Sequence, residues 1–388
     1  MNKNIIFNAS EFLPSLTLAN SVVLSKNAMP ILNDVRIETK EGENGSYAML
    51  TTSDSEMWLQ IKTPIDAFTE SGICICIESK ALLQALRTLG NQQITMEICE
   101  EKQLVVCKYA NGHFQLPYTN ADMFPLPTNI EKEQSTEILL DGKKMLMGIE
   151  RAGYATANDE LRPVMNGVRV EFFNDGMVFV ASDGLKLAKY KDLTIVRESE
   201  NEENVGITLP KRPCGVLMNV LANITEGDVK VVFNDRSFVV NNKQFKITAR
   251  LIEGRYPNYN SVIPQDNNIE VTMDKNALVS ALKRVAPMGN ANSELIVLNF
   301  KNGNLTISAD DVDFNKSASE SISCNYASQE DFTIGFKGSV LLQLLQNIGT
   351  DNVKFLLKEP NRPCVIREAE PNSMYDYTSL CMPMLINN

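Results

Sequence analysis

Apolar residues recur at helical spacing at two places in each third of the chain. Early in the last third, for example, Leu278, Leu282 and Val285 are four and three positions apart, which makes a single apolar stripe on a helix. We predict three early helices, at Ser10 to Val22, Lys143 to Ala155 and Lys275 to Pro287. We predict three later helices at Ala81 to Leu86, Val216 to Leu221 and Val340 to Leu345.

Between these helices, apolar and polar residues alternate with the period of two that is typical of β-strands. Such segments follow the middle later helix at Val229 to Phe233, Ser237 to Val240 and Phe245 to Leu251. Each later helix runs into a glycine or a polar turn, where a helix C-terminus is expected. The predicted order in each third is strand, helix, several strands, helix, several strands.

A polar turn with one aspartate follows an apolar run in each third, at Asp54, Asp183 and Asp310, which are 129 and 127 positions apart. Aspartate suits such a turn because its side chain can accept a hydrogen bond from the backbone two residues on. The aligned helix residues Leu13, Leu146 and Leu278 are 133 and 132 positions apart. Because these landmarks agree on one period, the sequence predicts three copies of one α+β domain.

Proline followed by polar residues marks the boundaries between the copies, after Pro127 and after Pro264. We predict domains at residues 1–128, 136–264 and 268–388. A chain of 388 residues is too long for one ordinary hydrophobic core, and its 44% hydrophobic and 22% charged content is typical of a soluble globular protein. Neither a signal peptide nor an apolar run of membrane length is evident, so we expect a cytoplasmic protein.

The residues that commonly carry catalysis or bind metals form no recognisable motif. Cys74 and Cys76, the closest pair among eight cysteines, have the spacing that places both on one face of a strand. His113, the only histidine, follows an Asn-Gly pair that indicates a hairpin turn. The acids from Asp310 to Asp313 lack the glycine and distal glutamate of an EF-hand, and no glycine-rich phosphate loop is present. We therefore predict no cofactor, no metal site and no catalytic site.

Charge is distributed unevenly between the predicted helices and the rest of the chain. Counted with their ends, as residues 9–23, 78–90, 141–157, 211–223, 274–287 and 337–348, the helical segments hold eleven basic and five acidic residues, although the whole chain has a net charge of -11. An ordinary helix surface explains this excess, because Lys and Arg favour helices. Alternatively, helices that all face one way would form a basic lining that binds nucleic acid through its phosphates without reading sequence.

Several short motifs, in register over the three repeats, resemble one family. They are Pro30-Ile31-Leu32-Asn33, Asn166-Gly167-Val168, the segment from Ala181 to Ala188, Gly254-Arg255-Tyr256-Pro257-Asn258-Tyr259 and Met382-Pro383-Met384. Together they resemble the bacterial sliding clamp, the beta subunit of DNA polymerase III, over the whole chain.

The resemblance implies that each domain packs two helices on antiparallel sheets. It further implies a head-to-tail homodimer that closes into a ring, with the helices lining a hole around double-stranded DNA. Such a protein is a processivity factor without catalytic activity of its own. The implied partners are DNA, a replicative DNA polymerase subunit, the clamp loader and repair proteins. The resemblance implies that the protein partners bind through linear peptides.

The resemblance also implies a peptide pocket between the second and third domains. Its residues would be Met165, Ser182, Gly184, Leu185, Lys186, Leu187, Pro257, Val262, Leu380, Met382, Pro383 and Met384. Leu, Val and Met make an adaptable apolar groove, and a few polar groups fix the orientation of the ligand. The chain departs from many family members at Leu185 and Lys186, which replace His-Arg, and at Leu385, which replaces Arg. These changes predict a different peptide preference.

Two further sets of residues follow from the resemblance and the helix charge. The expected DNA-facing residues are Lys26, Lys80, Arg87, Lys143, Lys144, Arg151, Arg162, Lys211, Arg212, Lys283 and Arg284. Phe114 and Met288 are expected at the dimer interface.

Two other classes of protein remain open from the residues alone. One is a non-enzymatic β-rich repeat scaffold that binds protein or carbohydrate, although the chain has a single Trp and no evident secretion signal. The other is a hydrolase that uses carboxylates such as Asp54, Asp183 and Asp310. Replacing each of these residues would separate a structural turn, which affects stability, from a catalytic group, which affects turnover.

Overall fold

The structure is a computed structural model that describes residues 3–386 except 44, 71, 129, 131–134, 196–204, 224–226, 327 and 329. Residues 131–134, which belong to the polar boundary segment predicted after Pro127, therefore lie outside the described residues. The chain divides into two compact units, one of residues 1–146 and 212–251 and the other of residues 147–211 and 252–388.

The described part of the chain contains six α-helices, and all six predicted helices are confirmed within a few residues. They are α1 (Ala9–Asn20), α2 (Ser79–Arg87), α3 (Gly142–Gly153), α4 (Lys211–Asn223), α5 (Lys275–Val285) and α6 (Gly338–Gln346). Helix α1 begins at the side chain of Asn8, which accepts a hydrogen bond from the Ser10 backbone N–H, and α5 begins in the same way at Asp274.

The strands alternate with the helices in the predicted order. In the first third of the chain they are β1 (Lys3–Asn8), β2 (Asp34–Gly42), β3 (Gly45–Ser53), β4 (Met57–Pro64), β5 (Ala67–Phe68), β6 (Cys74–Glu78), β7 (Gln93–Cys99), β8 (Leu104–Tyr109) and β9 (Gly112–Asn120). In the middle third they are β10 (Thr136–Asp141), β11 (Gly167–Phe173), β12 (Gly176–Ser182), β13 (Lys186–Asp192), β14 (Val205–Pro210), β15 (Asp228–Phe233), β16 (Ser237–Asn241) and β17 (Phe245–Arg250). In the last third they are β18 (Ile269–Asp274), β19 (Leu295–Lys301), β20 (Asn304–Asp311), β21 (Lys316–Ser323), β22 (Phe332–Lys337), β23 (Asn352–Leu357), β24 (Cys364–Glu368) and β25 (Tyr375–Cys381).

The first unit is built on one antiparallel sheet of thirteen described strands, in the order β10-β15-β16-β17-β4-β3-β2-β6-β9-β8-β7-β1-β5. Alternating strand residues such as Val35 and Ile37 are buried on one face of it. They form a core with Phe12 and Leu16 of α1 and Leu82 of α2. The apolar stripe of each helix therefore packs on the sheet, as its sequence period predicts.

The second unit holds two antiparallel sheets among its described residues. The larger runs β14-β11-β12-β13-β25-β24-β23-β18, and the smaller runs β21-β20-β19-β22. In α5 the predicted stripe of Leu278, Leu282 and Val285 is fully buried. Helix and sheet thus share the same packing scheme in both units, and the predicted α+β class is confirmed.

Two of the three predicted aspartate turns are confirmed, and the third is wrong. Asp54 Oδ1 accepts hydrogen bonds from the backbone N–H groups of Glu56 and Met57. Asp183 Oδ1 accepts them in the same way from Leu185 and Lys186. Asp310 instead lies inside β20, where it pairs with Ser317 of β21. The strand continues through Asp311, so the chain turns later, at residues 312–315.

The structure also shows where Cys74, Cys76 and His113 lie. Cys76 is buried and Cys74 half-buried on the same face of β6, beside Leu32 and Phe124. All eight cysteines are free thiols. His113 is an exposed residue of β9, and the hairpin turn before it is formed by residues 110 and 111, one position earlier than predicted, because Tyr109 pairs with Gly112.

Asp34 gives the first unit a pH-dependent stability. Its partner in the β2–β6 ladder is Glu78. Burial, followed by repulsion from the Glu78 carboxylate, raises the pKa of Asp34 to about 6, although a hydrogen bond with Thr119 opposes the rise. Because this value lies above the ordinary pKa of an unfolded Asp, the folded chain binds more protons between about pH 4 and pH 6, and its stability falls as the pH rises through that window.

We expect Asp34→Asn to abolish this fall and to raise the free energy of unfolding at neutral pH. The gain should be about 1–2 kcal/mol, because the partial solvent access of the carboxyl reduces the full effect of the pKa shift. Urea unfolding at a series of pH values measures it, with the exposed Asp235→Asn as the matched control. An unchanged pH slope in Asp34→Asn would contradict the assignment.

Candidate functional site

The turn between β12 and β13 shapes an apolar cavity in the second unit. Asp183 holds this turn through its two backbone hydrogen bonds, and Ser182 Oγ donates to the Lys186 carbonyl at 2.9 Å. Gly184 adopts a left-handed φ of 92°, a conformation that suits glycine because it has no Cβ. The turn therefore holds a fixed shape, and the chain enters β13 directly beside the cavity.

The cavity has a volume of about 470 Å³. It is lined by Arg162, Met165, Ser182, Gly184, Lys186, Leu187, Tyr256, Pro257, Asn258, Tyr259, Val262, Pro363, Leu380 and Met382. The floor is the antiparallel pair Leu187 and Leu380, which face each other across β13 and β25 and are 1% and 3% exposed. Val262 and Met382 at the mouth are 52% and 37% exposed, so an apolar ligand can still cover them.

Two polar side chains at the cavity, Lys186 and Tyr259, are engaged with the protein itself. Lys186 is almost fully buried, and its Nζ lies 2.5 Å from Asp183 Oδ2. The Tyr259 hydroxyl donates to Glu171 Oε2 at 2.6 Å. Burial raises the pKa of Tyr256 to about 12, so its hydroxyl stays protonated at neutral pH. The cavity consequently offers an apolar floor with few free charges, which suits apolar side chains of a peptide.

Nine of the twelve predicted pocket residues line this one cavity. The three that do not are Leu185, Pro383 and Met384. Leu185 is an exposed residue beyond the mouth, where its carbonyl accepts a hydrogen bond from the Met382 N–H at 2.9 Å. The Met384 N–H donates to the Gly335 carbonyl at 2.8 Å, which directs the chain after Met382 toward β22.

The sequence prediction missed five lining residues. Tyr256, Asn258 and Tyr259 belong to the motif that carried the resemblance, so that motif could have indicated them. Arg162 was predicted to face DNA, but its side chain also lines the cavity. Its Nε donates to Asp159 Oδ2 at 2.8 Å. Pro363 lies just before β24, and no pattern in the sequence points to it.

The residues predicted to face DNA differ in exposure and in ion pairing. Eight of them are exposed, namely Lys26, Lys80, Arg87, Lys143, Arg162, Lys211, Lys283 and Arg284, and Lys144 is half-buried. Four arginines are bound within their own unit: Arg162 to Asp159, Arg212 to Asp54, Arg284 to Glu320 and Arg151 to Glu368.

Arg151 departs most from the predicted DNA-facing role. Its side chain is mostly buried, and it pairs with a Glu368 side chain that is only 6% exposed. Its guanidinium also donates to the Asn347 carbonyl and lies over the rings of Tyr375 and Tyr377. Arg151 is therefore a structural cation and is not free to bind phosphate.

The two residues predicted at the dimer interface differ in burial. Phe114 of β9 is half-buried and packs against the core of the first unit beside Tyr109. Met288 is 39% exposed in a short 3₁₀ helix that follows α5.

The described residues contain no group of three or more His, Cys, Asp or Glu side chains placed to hold a metal ion. In that same part of the chain, no helix has both the length and the apolar content needed to cross a membrane.

Sequence models of three consecutive domains match almost the whole chain. They describe the DNA polymerase III beta subunit: its N-terminal domain matches residues 3–130, its central domain 139–258 and its C-terminal domain 260–385. The chain belongs to the DNA polymerase III beta subunit family. Members of this family are sliding clamps, the non-catalytic processivity subunits of the polymerase.

Curated relatives agree over the full length. The beta sliding clamp of Pseudomonas aeruginosa is 26% identical over 372 residues, which cover 96% of this chain and 97% of the relative. That of Synechocystis is 27% identical over 403 residues, covering 99% and 100%. These matches favour the sliding clamp over a repeat scaffold or a carboxylate hydrolase.

Solved structures match with the same coverage. The sliding clamp of Pseudomonas aeruginosa bound to griselimycin superposes with a TM-score of 0.89 at 25% identity, covering 100% of both chains. The sliding clamp of Bacillus subtilis gives a TM-score of 0.88 at 19% identity, also over 100% of both chains, and this second likeness concerns the fold alone.

Proposed function

We propose that the chain forms a ring-shaped homodimer that encircles double-stranded DNA in the cytoplasm, and that the apolar cavity binds linear peptides of its protein partners. In this proposal the three domains extend over residues 1–128, 136–264 and 268–388, close to the matched ranges. The partners are a replicative DNA polymerase subunit, the clamp loader and repair proteins. A closed ring keeps these partners on DNA by topology, so its contacts with the DNA can be weak enough to permit sliding.

The observation that carries the peptide role is the cavity itself. Leu187 and Leu380 form a buried apolar floor, whereas Val262 and Met382 remain partly exposed at the mouth. A cavity of about 470 Å³ accommodates one or two apolar side chains of an extended peptide. Methionine at the mouth adapts to side chains of different shape, which suits a site that serves several partners.

The DNA role is supported by exposed cations on four helices. Lys80 and Arg87 lie on α2, Lys143 on α3, Lys211 on α4 and Lys283 on α5. Contacts of this kind bind phosphates without reading the base sequence and weaken as salt increases. Arg151 and Arg212, whose guanidinium groups are bound to acidic partners, are not included in this proposed surface.

The dimer role is supported by two strand edges. In β9 only Tyr118 to Asn120 pair with β6, so residues 112–117 have a single neighbouring strand, β8, among the described residues. Strand β21 likewise has only β20 as a neighbour in the described sheet. Edges with unpaired backbone groups can join another chain, and Phe114 and Met288 lie at or near these two edges.

The ring predicts that DNA topology controls release. After the clamp loader of the same cell loads the protein onto a nicked circular duplex, we expect it to remain bound at a salt concentration that removes it from short linear DNA. A single restriction cut in the circle should release it by sliding from the ends. Gel filtration before and after cutting measures how much protein remains bound to the intact circle and how much to the cut circle.

The uncut circle and a blunt linear duplex blocked at both ends by bound protein serve as controls. Equal loss from intact and cut circles would contradict encirclement. Light scattering that gives only compact monomers at micromolar concentrations would contradict the dimer.

A further inference from the structure

The first unit contains a second copy of the strand junction that forms the cavity floor. We call the β4–β17 pairing the first junction and the β13–β25 pairing the second junction. Their registers are the same: Trp58 faces Thr248 in the first, and Leu187 faces Leu380 in the second. The flanking hydrogen bond is also the same, because the Arg250 N–H donates to the Glu56 carbonyl as the Met382 N–H donates to the Leu185 carbonyl.

The turns that enter the two junctions match position by position. Ser53 pairs with Trp58 as Ser182 pairs with Leu187. The third residue of each turn has a positive φ, 77° at Ser55 and 92° at Gly184. Trp58 is therefore the structural equivalent of the cavity-floor residue Leu187.

The walls of the two junctions correspond as well. Each junction follows a 3₁₀ helix with one buried apolar residue, Leu32 in the first and Met165 in the second. Each is bordered by a segment with an aromatic residue followed by proline, which is Phe124-Pro125 in the first unit. By this correspondence, Pro125 stands where Pro257 lines the open cavity.

The first junction differs in what occupies the space between these walls. The Trp58 Nε1–H donates to the Pro125 carbonyl at 2.8 Å, so the indole bridges the two positions whose equivalents, Leu187 and Pro257, line an open cavity. The remaining floor and mouth positions are also more polar. Leu380 and Met382 are replaced by Thr248 and by Arg250, which pairs with Glu56.

We infer that the first junction is a copy of the cavity filled by its own side chain, and that Trp58 confines peptide binding to the second junction. The second clause rests on the peptide role proposed above, whereas the first stands on geometry alone. The half-buried indole, held by its hydrogen bond to the Pro125 carbonyl, takes the place of a bound apolar side chain. One chain would thus present one peptide site although its repeats supply two junctions.

Removal of the indole should leave a space that free indole can fill. We expect Trp58→Ala to unfold at a lower temperature than the unaltered chain, and saturating indole to restore about half of that loss, because a ligand that binds only the folded state stabilises it. Benzothiophene, which has nearly the same shape but no N–H, should restore less. Circular dichroism gives the midpoints.

A direct binding measurement is available because Trp58 is the only tryptophan. The Trp58→Ala chain has no indole emission of its own, so the anisotropy of added indole reports binding. Trp58→Phe, which keeps a ring in the space and also has no tryptophan emission, is the matched control and should bind less indole than Trp58→Ala. It also corrects for indole that enters the second junction.

The inference is overturned if Trp58→Ala is folded and indole raises neither its midpoint beyond the response of the unaltered chain nor the emission anisotropy beyond that measured with Trp58→Phe. If Trp58→Ala does not fold, Trp58→Leu, which installs the side chain of the second junction, takes its place with the same criteria. Neither result depends on a partner peptide. A failure of peptide binding at the second junction therefore leaves this experiment unaffected.

Discussion

A chain that ends at Cys381 is expected to bind partner peptide about tenfold or more weakly than the full chain. Met382 at the mouth of the cavity is the lining residue that this truncation removes. Burial of one methionine side chain by a ligand contributes about 1.5–3 kcal/mol, and 1.4 kcal/mol corresponds to a factor of ten in affinity. Fluorescence anisotropy with overlapping peptides from the replicative polymerase subunit of the same cell measures the change.

The matched control is a chain that ends at Leu385, which keeps Met382 and its hydrogen bond to Leu185. It should bind peptide like the full chain. Both truncated chains should stay folded and keep the oligomeric state of the full chain, because β25 itself ends at Cys381 and is intact in each. Unchanged affinity in the shorter chain would place the peptide site elsewhere. The replacement Val262→Asp, at an exposed position of the same cavity, should also weaken peptide binding, and it does so without altering the chain length.

Replacement of Arg151 by methionine is expected to lower the free energy of unfolding by about 3–5 kcal/mol. The reason is the uncompensated Glu368 carboxylate that would remain. In the intact chain Arg151 Nη1 lies 3.1 Å from Glu368 Oε1, which also accepts from the Gly349 N–H at 2.8 Å. The other carboxylate oxygen accepts from the Tyr375 hydroxyl at 2.9 Å. Urea unfolding gives the magnitude.

Arg284→Met is the matched control, because Arg284 also pairs with a glutamate, Glu320, but is 61% exposed. Solvent screens an exposed ion pair, so this variant should be nearly as stable as the original. Equal stability of the two variants would contradict the structural role of Arg151.

Local periodicity accounts for most of the fold that the sequence predicts. The helix α5 was predictable because Leu278, Leu282 and Val285 must share one face, and the strands near Val229 because alternation puts every second residue on the core side. The repeat period then orders these elements. The third aspartate turn was wrong because an apolar run followed by acids looks the same whether the chain turns at Asp310 or remains extended to Asp311.

The parts of the site that sequence reasoning missed depend on distant partners. Arg151 resembles any helix cation until Glu368, 217 positions away, is placed beside it. Pro363 reaches the cavity only because β24 and β25 fold next to β13. The pocket residues were predicted from the resemblance to a family with short local motifs. Segments such as Ser182 to Leu187 were therefore predicted, whereas the isolated wall residue Pro363 was not.

The two floor residues of the cavity, Leu187 and Leu380, are 193 positions apart and meet only through the β13–β25 ladder. During synthesis, which proceeds from the N-terminus, β13 emerges long before its partner strand exists. A nascent chain can therefore complete its first unit while the cavity still lacks half of its floor. The cavity is complete only after Leu380 has been synthesised, so a chain released before that residue lacks half of the floor on which the proposed peptide would lie.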